Sequence, residues 1–107
     1  MQIDSTILSA AINAALTGDN TLITAVAGKT IHVVDMFLVA AGTTNLTFKD
    51  GATALTGAIP MVANGQLILH ENPTSEWFAT TNPANNFVLN SSGTTIQISG
   101  IIHYFLL

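Results

Sequence analysis

The residues of this 107-residue chain that could do chemistry are few and scattered. Trp77-Phe78 follows Asn72-Pro73; His32, His70 and His103 fall in three separate segments; and Asp35, Asp50, Glu71 and Glu76 supply carboxylates. An adjacent Trp and Phe could form a platform for a sugar ring, with the many Asn and Thr residues hydrogen bonding around it. In a strand, however, neighbouring side chains point to opposite faces, so the pair reads first as one core anchor and one ring at a rim or interface. The histidines lack the paired spacing of a transition-metal site and read as ordinary strand residues. The carboxylates do not form a calcium loop, and "FKDGAT" reads as a hairpin turn. No G-x-S-x-G elbow, H-E-x-x-H, Walker loop or paired-acid signature occurs, so the chain is expected to be no enzyme and to need no cofactor or metal. Asp35 is the odd carboxylate. It interrupts an apolar run, where it either finds a donor such as Lys29, Lys49 or backbone N–H groups, fixing register or an inter-subunit contact, or sits on a solvated bulge.

The elements that must position these residues belong to a chain of unusual composition. Only 7% of residues are Asp, Glu, Lys or Arg, against about 25% in average soluble domains. Lys29 and Lys49 are the only full cations and the net charge is −4, so nothing neutralises a run of phosphates or attracts an anionic bilayer. Nucleic acid and membrane are not expected partners. The chain is 49% hydrophobic, yet "VVDMFLVAA" and "IIHYFLL" are too short to cross a bilayer. Cysteine is absent, which excludes a disulfide framework and a thiolate site. The start, "MQIDSTIL", has neither the basic segment nor the cleavage site of a secretory signal.

Short Thr-, Val-, Ile- and Asn-rich runs punctuated by glycine predict an all-β chain. Eight or nine short strands in one domain, residues 1–107, suggest a small two-sheet sandwich, jelly-roll-like. Residues 5–16 satisfy both a short helix and a strand, and 1–17 could stand apart as an N-terminal arm; a strand over Ala10–Thr17 is preferred, with "TGDN" as a turn. "KTIHVVDMFLVAAG" and "TTNLTFKDG" are expected to form one hairpin. A second is expected about Asn64-Gly65, which suits a type I′ turn. Pro60 places its strand at a sheet edge or at a strand start.

Two strands carry more apolar residues than one buried face needs. In 31–40, strict alternation puts Ile31, Val33, Phe37 and Val39 on one face and Val34, Met36, Leu38 and Ala40 on the other. In the last strand Ile96, Ile98, Ile102, Tyr104 and Leu106 form an inward set, while the opposite face turns apolar at Ile101, Phe105 and Leu107. A two-layer sandwich covers only one face of each sheet, so a partner must cover the other. The expected interface comprises Val34, Met36, Leu38, Ile101, His103, Phe105 and Leu107.

The order "GDNTL", "AVAGKTIHV", "FLVAAG", "TFKDGATALTG", "ANG", "NP", "WFATT" resembles a group of small virion proteins carried by tailed phages. The resemblance runs from about Gly18 to the C-terminus and rests on turns and core strands, whereas the alanine-rich first stretch and the ending "HYFLL" depart from it. It implies a small β-sandwich and homo-oligomeric assembly, as dimer or trimer. The implied role is a capsid decoration (cement) subunit or other accessory that clamps the major capsid protein in a virion assembled in the host cytoplasm. The alternative is a tail-associated receptor- or glycan-binding module using Trp77, Phe78 or Tyr104.

Overall fold

The structure, a computed structural model, describes residues 6–107. Its strands are β1 (Leu8–Ala14), β2 (Gly18–Ile23), β3 (Ile31–Ala40), β4 (Thr44–Asp50), β5 (Thr53–Ala54), β6 (Ile59–Met61), β7 (Gln66–Leu69), β8 (Phe78–Ala79), β9 (Phe87–Ser91) and β10 (Ile98–Leu106). No helix occurs among the described residues. Leu8–Ala14 is a strand, which decides against a helix there; residues 1–5, including the first residue of that stretch, lie outside the described residues.

All pairings are antiparallel and build two five-stranded sheets. The first has the order β1-β10-β3-β7, with β8 beside β7 on the same edge of β3; the second has the order β2-β9-β4-β5, with β6 also on β4. Taking β7 with β8 and β5 with β6 as single edge positions, each sheet interleaves early and late strands in jelly-roll fashion. The chain passes from one sheet to the other after β1, β2, β3, β6, β8 and β9, so β4–β5 is the one pairing between consecutive strands.

This connectivity corrects two sequence expectations. The segments 31–40 and 44–50 are not a hairpin, because Ala41–Thr43 is an arch that carries the chain between sheets. Asn64-Gly65 likewise links β6 in the second sheet to β7 in the first. Asn64 has φ 65° but Gly65 is not at positive φ, and Gly65 N donates to Val62 O at 2.8 Å. Positive φ at the third turn position alone is the type II pattern, whereas type I′ needs it at both central residues. "TGDN" is also not a separate turn, since β2 begins at Gly18. Pro60 sits on β6, an edge strand, where its missing N–H leaves no ladder gap.

The core lies between the sheets. Ile12, Ile31, Val33, Met36, Leu38, Ile98 and Ile102 from the first pack against Leu46, Phe48, Phe87 and Leu89 from the second. Phe78 enters from β8 and its ring stacks on Phe48 at 5.1 Å between centroids. Burying this many aliphatic and aromatic side chains, at roughly 1.5–3 kcal/mol each, is the main stabilising term.

Polar groups at the core margin are all partnered. Asn20 holds the β1–β2 arch: its Oδ1 accepts from Leu16 N, and its Nδ2 donates to Leu16 O and Gly18 O. Thr44 Oγ1 and Ser91 Oγ lie 2.8 Å apart. Asp50 is more than the turn residue it resembles. Its buried carboxylate accepts from Thr81 N and Oγ1 through Oδ2 and from Asn85 Nδ2 through Oδ1, tying the β8–β9 connection to the end of β4. No buried side-chain nitrogen or oxygen among the described residues is left without a partner.

Candidate functional site: the outer face of the first sheet

One residue decides which side chains reach this face. Along β3 and β10 the register runs Asp35 opposite His103 and then Val33 opposite Tyr104, leaving Val34 unpaired as a bulge. A bulge inserts one residue into a period-2 pattern and so switches which residues face inward. Before it Ile31 and Val33 are in the core; after it Met36, Leu38 and Ala40 are. The apparently two-faced strand is therefore one inward face with a phase change. Asp35, beside the bulge, is half-buried on the outer face and takes its hydrogen bond from His103 rather than from a lysine.

The expected interface residues divide accordingly. Val34, Met36 and Leu38 are enclosed within the single chain and offer no surface to a neighbour, a correction that follows from the bulge. Phe105 is also covered, although it lies on the outer face. Its ring stacks on His32 with centroids 4.9 Å apart. Ile101, His103 and Leu107 do reach the surface, with Leu107 65% exposed. A bulge was one of the two readings of Asp35, one residue away, but the expected interface followed strict alternation through it and omitted Ala11, Phe37 and Ile68.

Those three complete a cross-strand row. Ala11 is opposite Ile101, Ile101 opposite Phe37, and Phe37 opposite Ile68. All four are exposed on one face. At the usual strand spacing the row spans roughly 14 Å, the full width of the sheet. Scattered apolar residues on a surface carry no message, but four in register across four strands form a continuous stripe.

Polar rows border the stripe. On one side lie Ser9, His103 and Asp35, also in register. His103 Nδ1 donates to Asp35 Oδ1 at 2.6 Å. A serine, a histidine and an aspartate in line invite comparison with a nucleophile, base and orienting acid. The arrangement lacks what that chemistry requires: no hydrogen bond joins Ser9 to His103 among the described residues, and the three side chains lie on an open sheet face with no cleft around them. The pair serves instead to hold two half-buried side chains beside the bulge. On the other side are the polar Asn13, Ser99 and Gln66, with half-buried Val39 between the last two, and Gln97 Nε2 donates to Asn13 Oδ1 and Ser99 Oγ.

At the β8 end, His32 Nδ1 donates to Glu76 Oε1 at 3.1 Å and Thr30 Oγ1 lies 2.7 Å from Nε2. Hydrogen bonding from its own backbone N–H and from His32 holds the Glu76 carboxyl below its ordinary range, outweighing burial. Thr30 and Leu107 exchange backbone hydrogen bonds, which pins the end of the chain beside this cluster.

The aromatic candidates separate as strand alternation predicts. Phe78 is a core ring, stacked on Phe48 and tilted against Phe87 at 5.6 Å. Trp77 is 43% exposed, with its indole N–H donated to His70 O. Tyr104 packs against the core. No three potential metal-ligating side chains come together among the described residues.

The outer face of the second sheet is different in kind. Asp19, Asn90 and Thr47 stand in register, and Asp19 accepts from Lys49 Nζ at 3.0 Å and from Asn90 Nδ2 at 2.8 Å. Those two donors hold the Asp19 carboxyl below its ordinary range. Val88, flanked by Thr21 and Lys49, is buried there, so this face presents polar groups. No family model matches the chain, and no curated protein or solved structure is significantly similar to it.

Proposed function

We propose that the protein is a structural virion subunit, a capsid decoration or cement protein that stabilises a phage head by clamping neighbouring subunits of the major capsid protein. The observation carrying this reading is the Ala11–Ile101–Phe37–Ile68 stripe on one sheet face, opposed by a polar face on the other. A molecule with one sticky side and one hydrated side suits a shell, with the first against the capsid and the second toward solvent. The resemblance of its turn and strand motifs to small tailed-phage virion proteins supports the capsid as the partner.

The mechanism is distributed burial. A face that hides on the order of 800 Å² per subunit makes a standard interface, and repetition over a shell converts modest contacts into high avidity. With few charges on the docking face, attachment depends little on ionic strength. The test compares particles with and without the protein under heating and at low ionic strength. Decorated heads are expected to survive longer; equal survival overturns the clamp.

A second reading, a tail-associated receptor- or glycan-binding module, draws on the exposure of Trp77. Phe78 is unavailable for it, and Tyr104 is packed against the core, so a single ring would have to act as the platform. Trp77→Ala with retained folding and lost glycan binding would favour that reading over the clamp.

A further inference from the structure

The four lateral sheet edges are not equivalent. One edge of the first sheet is split between β7 and β8, two short strands separated by a loop containing Pro73. In the second sheet, β5 has two residues and β6 carries Pro60, while β2 on the opposite edge opens on Gly18 at φ 91°, bears Asp19 and has an irregular register after Thr21. Short strands, prolines, charges and bulges are the devices that stop an edge from recruiting another strand.

β1 has none of them. Its seven residues, LSAAINA, hold unbroken register with β10 and contain no charge, proline or glycine. Among the described residues β1 pairs with β10 alone, so its other side presents unpaired backbone donors and acceptors. The chemistry that satisfies such an edge is another extended strand.

We infer that β1 is a self-association edge, pairing antiparallel with β1 of a second copy about a two-fold axis through Ala11. The segment is self-complementary in that register. Ala11 meets Ala11 of the second copy, Ser9 meets Asn13, Ala10 meets Ile12, and Leu8 meets Ala14. Outer-face partners are thus small or polar, and each inner-face pair sets a bulky residue against a small one. Each chain has a net charge of −4, yet no charged side chain lies on this strand, so the join brings no like charges into register. The resulting first sheet continues through both copies, and the row Ile68–Phe37–Ile101–Ala11 runs on into its symmetry mate. One uninterrupted apolar stripe then crosses eight strands.

The inference rests on a strand edge and not on the outer face, so it stands or falls independently of capsid binding. Sedimentation equilibrium of the full chain tests it. Wild type is expected to be a dimer. Ala11 is exposed, so Ala11→Lys and Ala11→Glu keep the fold, checked by circular dichroism. Each alone sets like charges together at the axis and weakens the dimer by roughly tenfold or more, whereas an equimolar mixture of the two restores it. Phe37→Ser leaves the dimer intact. A monomeric or trimeric wild type, dimers insensitive to both charges, or a mixture that stays monomeric would overturn the proposal.

Discussion

Phe37 on β3 and Ile101 on β10 are cross-strand partners on the outer face of the first sheet, 39% and 41% exposed. Neither belongs to the core between the sheets, so replacing both with serine is expected to cost only about 1–3 kcal/mol and to leave the fold intact. The same change removes the middle of the apolar stripe. If the protein docks as proposed, capsid attachment, measured by co-sedimentation with stripped heads, is expected to fall sharply while the isolated protein still folds cooperatively. Undiminished attachment would place the docking surface elsewhere.

Asp50 sets an acid limit. Burial alone would raise its carboxyl pKa, but donation from Asn85, Thr81 N and the Thr81 hydroxyl outweighs burial and holds it below the ordinary carboxylate range. A depressed carboxylate contributes stability that is full above its unfolded pKa and is lost as pH falls through its folded value. Stability is therefore expected to hold from neutral pH to about pH 4 and decline below it, with Glu76 and Asp19 acting in the same direction. Asp50→Asn is expected to cost about 1–3 kcal/mol at pH 7 and to flatten the acid limb, read by urea denaturation at pH 7, 5 and 3.

Gly100 is required by the closeness of β10 to β3. A methyl group built on it would overlap the Phe37 carbonyl oxygen and lie 2.8 Å from Leu38 Cα, both backbone atoms that cannot rotate away. Gly100→Ala should destabilise by about 1–3 kcal/mol or more, although alanine is the better strand former. A thermal midpoint equal to wild type would show that the two central strands separate without cost.

The neighbouring rings of Trp77 and Phe78 make opposite predictions. Phe78→Ala opens the aromatic cluster with Phe48 and Phe87 and is expected to cost about 3–5 kcal/mol. Trp77→Ala removes a half-exposed ring and its hydrogen bond to His70 O, and should cost about 1–2 kcal/mol. Chemical denaturation of the two variants separates them.

Much of the architecture was legible along the chain because it depends on local pattern. β-branched runs between turn residues marked the strands, Pro60 marked an edge, and alternation separated Ile98, Ile102 and Tyr104 from Ile101. The exposed apolar stripe was legible only in part. Ile101 came from correct counting, but Met36 and Leu38 were sent outward and Phe37 was missed because counting through Val34 carries the wrong phase onward.

By itself the sequence determined an all-β chain with little charge and no motif for catalysis. Those properties follow from residue type and short-range period. Tertiary structure decided that 31–40 and 44–50 belong to different sheets, that Val34 is the extra residue, and that Asp35 meets His103. An arch and a hairpin use similar short connections, and a bulge is defined only by what lies across from it. Both are properties of strands brought together from distant parts of the chain, which no local window contains.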